Sequence, residues 1–411
     1  MRSTFARNAI VLGLLSAVGP FAIDMYLPAL PTIAEDFHAS AAAAQGSLMA
    51  FFLAVALCQI IYGPVSDSFG RKAPLYVGSL LYVVGAVGCS FAPSIEWLIF
   101  ARFVQGVGAC AGMTIPRAVV RDLHTGHEAA RLMSLLMLVF SVSPILAPLF
   151  GSAVIAFGTW REIFLAMGVA AILALFLVIF ALKETRPAEQ RIPFDLGTIA
   201  ASYGELFRDR HYLGLVLIGG FGMASFFAFL SGSSFVYIQH FGLLPWQYSI
   251  AFSVNAVAFI GMAQATGYFG KRFGLPRVVR SALTFYVVST GTLFLLTIAG
   301  VDNMYVMAAL LWVGFAAMGL VIPSTAALSL ENYGRTAGTA AALMGTLQLV
   351  VGAVVVGLVG TFSNGGVLPM AMAILACALV AFFLGLATLR GAAPRPVELE
   401  TEAEGHPQPA E

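Results

Sequence analysis

Twelve times along this chain the sequence turns apolar for about as many residues as a helix needs to cross a bilayer core of ~30 Å. These stretches fall at 8–30, 44–64, 74–92, 95–117, 132–156 and 162–183. After a polar interval they resume at 212–236, 246–270, 278–299, 303–328, 337–360 and 367–389. A length of 411 residues would otherwise divide into two or three soluble domains, but 60% of the residues are hydrophobic and only 10% charged. Such a chain lacks the charge to cover a water-facing surface. The 33 Phe and 42 Gly fit packed membrane helices instead. The expected fold class is an all-α polytopic membrane protein.

The formal net charge of +1 gives no reason to expect nucleic acid as a partner. The four cysteines (Cys58, Cys89, Cys110, Cys377) lie in apolar runs without metal-like spacing and read as small buried side chains. Arg2 and Arg7 ahead of an apolar run imitate a signal peptide, but that run is long enough to span and reads as an uncleaved first helix.

The spans divide six and six around the longest internal polar segment. The expected organisation is an N-terminal six-helix bundle (1–183), a linker (184–211), a C-terminal six-helix bundle (212–390) and a Pro- and Glu-rich tail (391–411) expected to be disordered. With both termini cytoplasmic, 19 of the 21 Lys and Arg residues fall on the cytoplasmic side, which orients the chain by the positive-inside rule. Two equal bundles about a midplane site is a transporter pattern. A faint internal echo supports duplication: the run Gly63 to Lys72 after the second span has a counterpart, Gly267 to Gly274, after the eighth, with Lys271 where the first half has Asp67.

Within the membrane the acidic residues reduce to one. Glu35, Asp36, Glu96, Glu162 and Asp302 sit at outer ends or loops, the others are cytoplasmic or in the tail, and no histidine falls mid-span. Asp24 alone is embedded in an apolar helix. Embedded charges are costly and usually mark a substrate or proton path. Two readings stand: a proton carrier, or a structural ion-pair partner. Arg102 has the same depth, since each lies six residues from the outer end of its span, ~9 Å below the boundary. An arginine so placed would hold the carboxyl ionised while desolvation opposes it. Pro20, one turn before Asp24, frees a backbone carbonyl and serves either as a static kink or as a gate.

Three further motifs carry a resemblance. Gly63-Pro64-Val65-Ser66-Asp67-Ser68-Phe69-Gly70-Arg71-Lys72 resembles the loop signature G-x-x-x-D-x-x-G-R-K of the major facilitator superfamily. Arg102 to Ala109 is similar to its fourth-span element R-x-x-Q-G-x-G-A. Ala147-Pro148-Leu149-Phe150-Gly151-Ser152 resembles the fifth-span antiporter motif, with Ala147 and Ser152 in place of glycines. Asp24-Met25-Tyr26-Leu27-Pro28 and Arg117-Ala118-Val119-Val120-Arg121-Asp122 resemble the twelve-span drug:proton antiporters of the Bcr/CflA type, the bicyclomycin and chloramphenicol/florfenicol efflux branch. The match covers the chain up to the tail.

The resemblance implies two pseudo-symmetric six-helix bundles with spans one, four, seven and ten around a cavity. It brings Asp24 and Arg102 together in proton coupling, and Asp67, Arg71 and Arg121 into a cytoplasmic charge cluster. Gly63, Gly70, Lys72 and Arg117 belong to the same gate, and Asp67 is placed near the start of span eleven at Thr336 and Ala337. A drug cavity should be mostly apolar with few polar anchors. Tyr26, Phe226, Phe227, Phe229 and Phe235 are candidates, with Asn255 and Gln348 as polar anchors; for any one of the phenylalanines a lipid-facing or packing role is the favoured reading. The function expected is proton-driven export of amphipathic, phenicol- or bicyclomycin-like drugs across a bacterial inner membrane. The protein is expected to act as a monomer, without a cofactor and driven by the proton gradient. Export of an endogenous metabolite and proton symport of a nutrient are the alternatives. A membrane enzyme would need converging nucleophiles or bases that the spans lack.

Overall fold

The computed structural model describes residues 2–191, 195–333, 336–362 and 365–389, and among these every regular element is helical. Arg390 and the tail 391–411 lie outside the described residues. The first span begins as α1 (Arg2–Asp24), passes through a 3-10 turn (Leu27–Ala29) and ends as α2 (Leu30–Asp36). A single helix over 8–30 was expected, and proline explains the difference. Pro28 has no N–H to give the carbonyl of Asp24, so the α-helix stops at the acidic residue.

Five more spans complete the first half: α3 (Ala41–Phe69), α4 (Lys72–Ser90), α5 (Ile95–Leu123), α6 (Gly126–Phe157) and α7 (Trp160–Ala181). The linker carries a short helix, α8 (Leu196–Arg208). The second half contains α9 (Arg210–Ser234), which continues as a π-helical turn (Phe235–His240), α10 (Pro245–Phe273), α11 (Leu275–Ile298), α12 (Met304–Leu330), α13 (Ala337–Phe362) and α14 (Val367–Thr388). In all, 12 helical runs among the described residues are long and apolar enough to cross a membrane. Ser40, Ser94, Asp209 and Asn303 accept backbone hydrogen bonds at helix starts, which fixes where α3, α5, α9 and α12 begin.

Small residues let these helices approach. A Cβ on Gly108 of α5 would lie 2.3 Å from the backbone nitrogen of Tyr82 in α4. α5 is enclosed by α1, α3 and α4, and α9 by α12, α13 and α14. One apolar core runs through both halves. A satellite core seats Leu206 of α8 against Tyr212, Val216, Ala340 and Leu343.

The halves meet along α3–α13 and α6–α10. Contacts between them run from the face that carries the N terminus, where Arg121 approaches Gly338, to the far face, where Gly360 approaches Ala42. On the far face Gln239 donates to Glu35 at 3.2 Å. Deeper in, Phe52 of α3 stacks on Phe227 of α9 with ring centroids 4.2 Å apart. Beyond that level Thr346 donates to the carbonyl of Ala56, and a Cβ on Gly345 would lie 2.4 Å from Gln59 Nε2.

Candidate functional site

Asp24 ends α1 at the junction of the two halves, 3% exposed. The next residue, Met25, presents its carbonyl to Gly151 of α6 so closely that a Cβ there would come within 1.7 Å of the oxygen. The motif in α6 thereby serves as a bearing surface for α1. Its next residue, Ser152, reaches the other half: its hydroxyl is 2.5 Å from that of Ser249 in α10 and 3.0 Å from the carbonyl of Pro245. Ser249 donates to the carbonyl of Pro148, and Ser253 to that of Ile145, each at 2.9 Å. Ala147 is fully buried beneath this seam. Ala147, Pro148, Gly151 and Ser152 therefore form one contact surface between α1, α6 and α10.

The expected Asp24–Arg102 ion pair is absent among the described residues. Arg102 is fully buried, but its guanidinium lies 4.4 Å from the ring centroids of both Tyr26 and Phe51 and 5.8 Å from that of Phe164. Its one hydrogen bond goes to Gln105 Oε1 at 2.7 Å, and Nε and Nη2 have no hydrogen-bond partner among the described residues. The shared depth holds, because Arg102 meets Tyr26, two residues from Asp24. The direction does not: two residues along a helix turn the side chain by about 200°. Tyr26 therefore faces Arg102, and Asp24 does not.

The aromatic candidates do not line one chamber. Phe226 and Phe229 join Phe252 and Phe315 in a packed cluster within the second half, and Phe226 also stacks on Phe259 at 5.5 Å. Phe227 sits between Phe52 and Gly352, at the midlevel seam. Phe235 is buried at the far end of α9 beside Gly365, Gly366 and Met370. Asn255 is buried and donates to its own helix at Ala251, while Gln348 packs on Gly219 and Gly220. Tyr26, Phe229, Phe235 and Asn255 are thus packing residues in this state, for the physical reason that each is enclosed on all sides.

On the N-terminal face a charge cluster surrounds Arg71, itself only 3% exposed. Its Nη1 donates to Asp67 at 2.7 Å and Ser66 at 2.8 Å, and its Nε to Asp122 at 2.7 Å. Burial works against the arginine's charge, but Asp122 and Asp67 outweigh it and hold the group above the ordinary arginine value. The linker closes over this cluster. Arg186 pairs with Asp67 at 3.0 Å and Thr185 donates to Asp122 at 3.0 Å. The Glu184 carboxylate accepts the backbone N–H groups of Arg71 and Lys72, at 2.8 and 3.1 Å, and those of Thr185 and Arg186. Gly70 makes the turn with φ +88°, and a Cβ there would lie 2.8 Å from Glu184 Oε2. Lys72 donates to the carbonyl of Ile179.

Arg121 is not in this cluster; its neighbour Asp122 is, because adjacent helical residues point about 100° apart. Arg121 instead approaches Gly338 at the start of α13. Arg117 lies over the Phe140 ring at 5.3 Å. No hydrogen bond joins Asp67 to Thr336 or Ala337 among the described residues, and Gly63 has open space around it. Glu184, Thr185 and Arg186 were missed in the sequence because they looked like ordinary linker polarity.

Two six-helix halves packed together around a buried carboxylate make the architecture of a secondary transporter. The chain matches the Major Facilitator Superfamily model over residues 12–357 and belongs to that family. It is 38% identical over 354 residues to an uncharacterized MFS-type transporter, YdgK, of Bacillus subtilis strain 168, a match that covers 86% of this chain and 88% of the relative. A bicyclomycin resistance protein homolog of Haemophilus influenzae is 32% identical over 390 residues, covering 92% and 95%. Among solved structures, a bacterial homolog of the human lysosomal transporter Spinster, inward-facing and unoccupied, aligns with a TM-score of 0.72 at 16% identity over 95% of this chain and 97% of that one. That likeness shows the fold.

Proposed function

We propose that the protein exports amphipathic drugs across a bacterial inner membrane in exchange for protons, by alternating access. The observation that carries the reading is the position of Asp24: one carboxyl without an ion pair among the described residues, buried in a membrane span near the meeting of the two halves. The relative named for bicyclomycin resistance supports a drug as cargo. The Lys and Arg distribution supports the N-terminal face as cytoplasmic. In this scheme Asp24 takes up a proton from outside, the drug leaves outward, and the proton is lost inward as the cavity refills. Arg102 supports the element that carries Asp24, and Phe227, stacked on Phe52 of the other half, is the aromatic candidate nearest the seam between the halves.

The test is growth of an efflux-deficient strain expressing the chain, across phenicols, bicyclomycin, sulfonamides and lipophilic cations. Resistance to at least one class, lost in Asp24→Asn at equal membrane abundance, is expected. A flat profile would overturn the drug assignment in favour of a metabolite exporter. Undiminished proton-coupled export by Asp24→Asn would remove Asp24 from the mechanism.

A further inference from the structure

We propose that the crevice between the start of α11 and the end of α14 is a binding site for an anionic phospholipid, with Arg280 meeting its phosphate. The crevice has a volume of about 280 Å³ and lies toward the N-terminal face. Arg280 and Ser281 line it two and three residues inside the apolar stretch 278–299, ~3–5 Å below the level where that stretch begins. Its floor is apolar. There Leu283 of α11 meets Gly385 of α14, where a Cβ would lie 2.7 Å from Leu283 Cδ1, and Phe382 and Leu386 flank the contact. Phe285 and Val288 of α11 and Phe383 of α14 continue an exposed apolar wall toward the bilayer centre. A phosphate at the level of Arg280 with acyl chains along that wall changes polarity at the same depth as the crevice does. Basic pockets between membrane helices take lipid headgroups in this way.

The first half shows what this junction lacks. Its counterpart there is α4 against α7, the third and sixth spans, and the chain covers that junction with its own anion. Glu184, three residues beyond α7, accepts the N–H groups of Arg71 and Lys72, and Lys72 donates to the carbonyl of Ile179. In the second half no carboxylate takes that place among the described residues. Arg280 enters no ion pair there, its guanidinium has no hydrogen bond, and only its carbonyl is engaged, by Thr284 at 3.0 Å. Arg277, one turn earlier on the same side of α11, adds a second cation without an ion pair among the described residues. Arg272, by contrast, is held to the Tyr268 hydroxyl at 3.1 Å. The chain that leaves α14 does not repeat Glu184: its first charges are Arg390 and Arg395, and acids begin only at Glu398. The nearest anion for Arg280 is therefore in the membrane, where lipid phosphates lie at its depth.

The test is native mass spectrometry of the full chain in detergent, titrated with phosphatidylglycerol and, separately, with phosphatidylcholine of the same acyl chains. The first phosphatidylglycerol should bind more tightly than later ones and more tightly than phosphatidylcholine. Arg280→Gln should weaken that first lipid about fivefold, Arg277→Gln should weaken it less, and Arg280→Lys should keep most of the affinity. Ser281→Trp, at an exposed position, fills the crevice without removing charge; it should also displace the lipid, and serves if Arg280→Gln fails to fold. Arg272→Gln should leave binding in place. Equal affinity for the two lipids, wild-type affinity in both Arg280→Gln and Ser281→Trp, or an equal loss in Arg272→Gln overturns the proposal. Displacement of the lipid by millimolar inorganic phosphate overturns it in favour of a free-phosphate site. Tighter lipid binding once Glu398, Glu400, Glu402 and Glu404 are all changed to Gln overturns it in favour of the chain's own tail as the occupant.

Discussion

The guanidinium of Arg102 rests 4.4 Å from the ring centroid of Tyr26, so the arginine of α5 holds the turn that follows Asp24 rather than Asp24 itself. A second ring, Phe51, lies at the same distance. Each such contact is worth about 0.5–2 kcal/mol, more when water is excluded. The planar group also presents a flat face that an ammonium lacks. Arg102→Lys keeps the charge and loses the stacking. It should destabilise the protein by about 1–2 kcal/mol and reduce transport, with thermal unfolding in detergent and vesicle uptake as the measurements.

Gly151→Ala places a methyl where the carbonyl of Met25 already stands. Backbone must move, and the affected backbone carries Asp24. The variant should lose transport and most of its folded yield, judged by fluorescence-detected size exclusion. Gly63→Ala meets open space in this state and should fold normally, so any transport defect it shows belongs to a different conformation.

The Glu184 carboxylate gains from burial nothing but cost, yet four backbone N–H groups outweigh that and hold it below the ordinary glutamate value. The resulting stabilisation is fully present above that ordinary value and is lost as pH falls through the lower folded one. Because Glu184 is exposed, its worth is about 1 kcal/mol. Glu184→Gln should loosen the strap at neutral pH as acid does in the wild type. Faster tryptic cleavage after Lys183 or Arg186 is the readout.

Tyr333 donates to Asp209, the residue that caps α9 through the N–H groups of His211 and Tyr212. That bond, chiefly, holds Asp209 below the usual carboxylate range, while burial and Asp209 push Tyr333 up to about 12. Tyr333→Phe should keep the ring against Tyr212 and cost about 1 kcal/mol, seen as a lower unfolding midpoint with transport retained.

The axial coordinate of each span was legible, because apolar length measures depth directly. Asp24 and Arg102 were accordingly given the right level. The angle around the helix was not, and it decided both errors: Tyr26 rather than Asp24 meets Arg102, and Asp122 rather than Arg121 meets Arg71. The break at Asp24 follows from Pro28, but its register needs the fold to show which carbonyl goes unbonded. The Ser152–Ser249 contact left no mark, since a serine in a membrane helix is ordinary and its partner is 97 residues away.

That pair of hydroxyls has a consequence for the working cycle. Serines give up one another for water with little loss, whereas a buried ion pair would have to be rehydrated at several kcal/mol per charge. A far gate sealed by Ser152, Ser249 and Ser253 is therefore shallow-welled by construction. It can unfasten and refasten at every turnover without having to rehydrate a buried charge.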